Sequence, residues 1–209
     1  MQTKNLIAIP ENAPLAYVYG CSPRAGGNSD YAAMLIQREL ADQGLDYDGC
    51  FLREYDVTSC GGCQRCADIE HGICRFAAKD EAGELFEPLL GSQLLFFVSP
   101  IYFYHLPSVF KAFIDRGQAF WVQRRQGNPK MLALPPRKAH VVLLAAREKG
   151  GKMFEGSLLT LRFFLKAFNV ELAEPLLLRQ VDNEDDLAGN AQFQELIKDY
   201  ARRASAGFV

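Results

Sequence analysis

The chain has 209 residues, 49% of them hydrophobic and 23% charged, with a formal net charge of -2. That balance suits an ordinary globular domain with a full core, and it excludes both a disordered chain and the basic footprint that nucleic acid demands. No stretch reaches the roughly 18 apolar residues of a membrane span, and the first thirteen residues hold no signal-like apolar run. A single cytoplasmic domain over residues 1–209 is therefore expected, with no nucleic-acid or membrane partner. In a reducing cytosol its six cysteines point to metal or redox chemistry rather than to a disulfide framework.

In chain order, Leu15 to Tyr19 is a short apolar run of strand formers that ends at Gly20, and it reads as a buried first strand. Cys21 to Ser29 follows, with hydroxyls, an arginine and two glycines. The next helix carries Ala32, Leu35, Ile36 and Leu40 at helical spacing. A strand, a tight loop and a helix N-terminus make an anion site, because the first-turn N–H groups and the helix dipole both favour a phosphate. Ser22, Asn28 and Ser29 offer hydrogen bonds there and Arg24 a charge; the plainer alternative is a helix start capped by Asn28 or Ser29.

Gly44 ends the first helix, and Tyr47 to Leu52 is a second strand candidate. Residues 55–80 form a loop insertion that packs Cys60, Cys63, Cys66 and Cys74 into C-x-x-C-x-x-C-x7-C. Thiolates at such density suit an iron–sulfur cluster, zinc or redox-active thiols, and zinc is disfavoured because its structural sites usually set two C-x-x-C pairs further apart. Cys21 and Cys50 read as small buried residues.

Beyond the loop, Ala82, Leu85, Phe86, Leu89 and Leu90 form a helical stripe, and Leu94 to Val98 is a strand apolar on both faces, as parallel sheets require. Ser99 to Pro107 clusters aromatic and polar groups just past that strand, where open α/β sheets bind ligands. A helix then runs from Pro107 through Val109, Phe110, Phe113 and Ile114, with Asp115 and Arg116 read as a surface or helix-end pair. Gln118 to Arg137 reads as irregular, and Phe120 and Trp121 suit a subunit contact. Val141 to Ala146 is a further buried strand followed by a polar turn to Gly151. Leu158 to Phe168 reads as a helix, Leu176 to Leu178 as a last strand, and Phe193, Leu196, Ile197 and Tyr200 as the inner stripe of a closing helix.

The alternation predicts an α/β fold, a doubly wound, five-stranded parallel sheet with helices on both faces. Turns after the first, third and fourth strands would converge on one edge. Neither the ATP-type phosphate loop nor the G-x-G-x-x-G dinucleotide fingerprint is present, and flavin mononucleotide (FMN) fits a phosphate loop beside an aromatic slot.

Gly20 to Ser29, G-C-S-P-R-A-G-G-N-S, resembles the phosphate loop of the NADPH-dependent FMN reductases, which implies their flavodoxin-like sheet of strand order 2-1-3-4-5. Ser99 to Phe103 followed by Phe110 to Arg116 resembles that family's isoalloxazine loop and next helix, and the cysteine spacing is similar to that of iron–sulfur flavoproteins, which hold a [4Fe–4S] cluster beside FMN. The resemblance implies that Ser22, Arg24, Asn28 and Ser29 hold the FMN phosphate and that Pro100, Ile101, Tyr102 and Phe103 hold the ring. It places Ala146 and Arg147 at the ring's pyrimidine edge, where relatives often carry a serine- or glycine-rich run instead. Cys60, Cys63, Cys66 and Cys74 are the corresponding metal ligands. The implied activity is electron transfer from NAD(P)H or a reduced carrier, through FMN, to a flavin, quinone or other small acceptor, in a homodimer or homotetramer. An iron–sulfur electron carrier between partner proteins is the main rival, and a zinc-tied structural or sensor protein a third class.

Overall fold

The computed structural model describes residues 9–68 and 74–209; residues 69–73 of the expected cysteine loop and the first eight residues lie outside them. The sheet forms where the sequence is apolar on both faces. Strand β1 (Ala16–Gly20) is buried along its whole length, and β3 (Leu94–Pro100) nearly so. β1 pairs in parallel with β2 (Tyr47–Phe51) on one side and β3 on the other, and β3 pairs with β4 (Arg137–Ala145). The order is β2-β1-β3-β4-β5, the doubly wound arrangement expected.

The fifth position is split, which corrects the expected single strand. β5 (Val170–Leu172) pairs with the first three residues of β4, and β6 (Leu176–Arg179) with its last four. Pro175, which has no N–H to donate, lies in the gap between them. A second correction concerns residues 118–137, which hold two helices, α4 (Gln118–Arg125) and α5 (Pro129–Leu132), before β4 begins at Arg137. Asn128 caps α5 by accepting the Lys130 N–H at 3.0 Å, and Pro129 sits at its first turn.

Side-chain alternation along the strands feeds two cores. Tyr17, Tyr19, Leu95, Phe97, Val141 and Leu143 face α2 (Ala82–Gly91), α3 (Ser108–Arg116) and α6 (Glu155–Lys166). Tyr19 and Phe97 stack there with ring centroids 4.6 Å apart. Ala16, Val18, Phe96, Val98, Val142 and Leu144 face α1 (Asn28–Asp42) and α7 (Ala191–Ser205). Phe120 turns inward, with its ring 4.5 Å from Phe86 and 5.1 Å from Phe168.

His140 lies in the second core, its ring 5.4 Å from Phe96 and 5.7 Å from Tyr200. Burial, helped by the Lys138 charge, pushes its imidazole down to about 4. The unfolded chain, titrating near 6.5, therefore binds more protons than the folded chain between those values. Stability is complete above about pH 6.5 and falls as pH drops toward 4, by on the order of 2–3 kcal/mol. Urea unfolding between pH 7 and pH 4 should show that slope, and His140→Gln should flatten it.

Candidate active site

The C-terminal edge of the sheet carries the site, and its first part is built on glycine. A Cβ at Gly20 would stand 2.3 Å from Cδ1 of Phe51, so only glycine lets that ring lie across the end of β1. The chain then continues with the Cys21 N–H donating to the Val98 carbonyl at 2.8 Å. Ser22 is buried, and its hydroxyl accepts the Arg24 N–H at 3.1 Å, closing a tight loop. Gly26 turns the chain at φ +71°. Gly27 is the N-cap of α1 and supplies no side-chain cap, so neither Asn28 nor Ser29 caps the helix. A Cβ on Gly27 would come within 2.8 Å of the Arg24 Nε, so the guanidinium folds down over the helix start. An uncapped N-terminus under an arginine is a cradle for an anion.

Other residues hold this cradle, and sequence reasoning missed them. The Asp30 carboxylate accepts the Gly26 N–H at 2.8 Å and pairs with Arg53 at 2.9 Å. Asn28 is buried and bound elsewhere: its amide donates to the Asn183 carbonyl at 2.6 Å and accepts the Leu187 N–H at 3.0 Å. What Asn28 has left for a ligand is its main-chain N–H and one amide hydrogen.

The second part follows β3. The Ile101 N–H donates to the Leu144 carbonyl at 2.8 Å, and Tyr102 and His105 exchange main-chain bonds of 2.8 and 2.9 Å. Phe103 and Tyr104 therefore form a tight turn with φ of +47° and +62°, a conformation usually left to Asn-Gly. Two non-glycine residues in the left-handed region cost on the order of 1–3 kcal/mol each, and such strain gathers at ligand-handling sites. Phe103 is fully exposed.

A hollow of about 270 Å³ lies between this turn and the end of β4, lined by Ile101, Phe103, Tyr104, Ala146, Arg147 and Met153 among others. Ile101, Phe103, Ala146 and Arg147 thus come together as the sequence anticipates, whereas Pro100 and Tyr102 do not line the hollow. Arg179 braces the turn after β4 by donating to the Gly150 carbonyl at 3.0 Å. His105 points elsewhere, with its Nε2 3.2 Å from the Thr160 hydroxyl on α6.

The four loop cysteines line one cavity of about 540 Å³ against α4 and the end of α3. It shares no lining residue with the hollow among the described residues. The N–H of Arg65 and the Arg75 charge hold the exposed Cys63 thiol below its ordinary range, whereas burial and the neighbouring thiols push Cys66 up. Among the described residues no three Cys, His, Asp or Glu side chains stand close enough to hold an ion, so the thiols are gathered but not preset around a metal.

Beneath this cavity, the Arg116 side chain is 3% exposed and Asp80 fully buried, which corrects the surface reading of Arg116. Arg116 donates to the Asp80 carboxylate and to the Thr58 carbonyl, and Asp80 accepts the Thr58 N–H at 3.0 Å. Burial alone would raise the Asp80 carboxyl, but these donors outweigh it and hold it below its ordinary value. Asp80→Asn strands a buried guanidinium and should cost about 3–5 kcal/mol. Chemical denaturation measures that loss, and faster labelling of the half-buried Cys66 and Cys74 by a thiol reagent would report the loop's release.

The model of the NADPH-dependent FMN reductases matches residues 16–175. A putative NAD(P)H-dependent FMN-containing oxidoreductase of Bacillus subtilis, YwqN, is 32% identical over 94 residues, which cover 44% of this chain and 46% of YwqN, so the match spans under half of either protein. Two solved structures share the fold. The NAD(P)H:quinone oxidoreductase of Methanothermobacter marburgensis has a TM-score of 0.59 at 18% identity, over 92% of this chain and 94% of that one. An FMN-dependent NADH-azoreductase of Bacillus anthracis, solved with FMN, has a TM-score of 0.61 at 12% identity, over 90% and 98%. Because the matched residues run from β1 through β5 and take in both turns and the cysteine loop, the chain belongs to the NADPH-dependent FMN reductase family.

Proposed function

We propose that this chain is an FMN-dependent oxidoreductase that takes electrons from NAD(P)H or a reduced carrier and passes them to a flavin, quinone or other small acceptor. One observation carries the reading: an uncapped, arginine-covered helix start lies on the same sheet edge as an aromatic-rimmed hollow. FMN, when bound, supplies the two-electron chemistry. The chain's own residues bind and orient it. The N–H groups at the start of α1, with Ser22, Ser29 and Arg24, hold the phosphate. Ile101, Phe103, Ala146 and Arg147 hold the ring, and the exposed Phe103 keeps water from one side of it.

Support for FMN also comes from the family and from the printed description of YwqN. Assembly as a homodimer or homotetramer is part of the reading, with a second copy placed on the groove of Trp121, Leu159 and Phe163, where Phe163 is 61% exposed. Cytoplasmic localisation is likewise proposed.

The second reading, an iron–sulfur electron carrier, has its own observation in the four thiols of one cavity. Thiolates are suitable ligands for a [4Fe–4S] cluster, and holding one requires the loop to close further. Iron analysis after anaerobic purification decides it. About four iron atoms per chain, lost in Cys63→Ala while FMN stays, supports a cluster. Iron-free protein with four titratable thiols removes it and leaves the flavin reading standing.

Steady-state oxidation of NAD(P)H with added flavin or quinone tests the main proposal, and a protein that binds no FMN overturns it. Arg24→Ala removes a charge-assisted bond of roughly 1.5–3 kcal/mol and should weaken FMN about ten- to a hundred-fold. Unchanged FMN affinity would remove Arg24 from the phosphate site.

A further inference from the structure

The phosphate cradle contains a carboxylate that ought to oppose its ligand. Asp30 lies in the first turn of α1 and is 5% exposed. A buried negative charge so close to a phosphate repels it, and low dielectric makes that repulsion stronger than in water. Yet the same carboxylate is needed, since it accepts the Gly26 N–H at 2.8 Å and so sets the turn before the helix.

Resting on the FMN reading, we propose that Arg53 is a positioning residue that neutralises Asp30 and sets the loop to receive a phosphate monoester. Its Nη1 lies 2.9 Å from the Asp30 Oδ1 and 3.4 Å from the Ser22 carbonyl. One guanidinium therefore ties the first turn of the loop to the first turn of the helix. The second bond draws the Ser22 carbonyl oxygen toward Arg53. The Phe51 ring supports the guanidinium at 4.3 Å, and Gly20 is what lets that ring lie there. The exposed Glu54 carboxylate, 3.8 Å away, is the further charge facing Arg53. With its side chain only 16% exposed, Arg53 is largely shielded from the salt that weakens surface pairs. Asp30 can thus order the loop without presenting net negative charge to the ligand.

The test separates phosphate from ring by titrating the full apo chain with FMN and with riboflavin, which lacks the phosphate. Arg53→Met should weaken FMN roughly tenfold or more and riboflavin less than about twofold. Asp30→Asn in the Arg53→Met background should restore much of the lost FMN affinity, because the uncompensated charge is gone. Arg53→Lys, which keeps the charge, should retain most of it. Equal losses for FMN and riboflavin, or no loss for either, overturn the proposal. If Arg53→Met fails to fold, the same ligand pair is measured on Arg53→Lys and on Arg53→Met/Asp30→Asn. A double variant that binds FMN no better than riboflavin, beside a wild type that does, then overturns it. Wild-type protein that binds neither ligand overturns the FMN reading beneath it, a result distinct from a failure of Arg53 alone.

Discussion

The site depends on main-chain hydrogen bonding that continues past the ends of the strands. The ladders bring β1, β3 and β4 to one edge in parallel register. The Cys21 N–H to the Val98 carbonyl and the Ile101 N–H to the Leu144 carbonyl, each 2.8 Å, then carry the pairing one residue beyond the strands. Those two bonds set where the glycine-containing loop after β1 and the aromatic turn after β3 begin. Buried amide pairs of this kind are costly to leave unmade, so the two turns are held in register even though each is mostly exposed. The cradle and the hollow owe their common edge to the sheet rather than to contacts between themselves.

Much of this was legible in the sequence because it rests on local pattern. The doubly apolar runs marked the central strands, and the glycines marked the tight loop between β1 and α1. What escaped depends on partners distant in sequence. Arg53 and Asp30 are 23 residues apart, Asn28 and Leu187 are 159 apart, and Arg116 and Asp80 are 36 apart. A charged residue shows no periodicity that names its partner, so Arg116, which does end α3, could be read as a surface residue although its side chain is buried. The aromatic turn was placed correctly, but its backbone conformation was not, because Phe103 and Tyr104 lack the glycine or asparagine that announces a left-handed turn. The fifth strand was half read: three apolar leucines marked β6, whereas Val170–Leu172 is too short to stand out from the preceding helix.

Charge follows the same division between edge and body. Around the start of α1, Arg24 stands exposed while Arg53 is paired with a buried carboxylate, so two arginines on one edge meet opposite surroundings. Arg179 braces the turn after β4 and lies 5.1 Å over the Phe154 ring, so the hollow is stiffened from behind by a residue that does not line it.

The ion pair beneath the cysteine cavity bears on how such a chain changes over generations. Asp80 belongs to the loop and Arg116 to the helical body, and the Arg116 Nε has no partner of its own. A lineage that shed residues 55–80 would leave a cation in its core, and a lineage that first lost the cation would leave a carboxylate there. Either single step leaves one buried charge unpaired, so removing the loop calls for a change at position 116 as well.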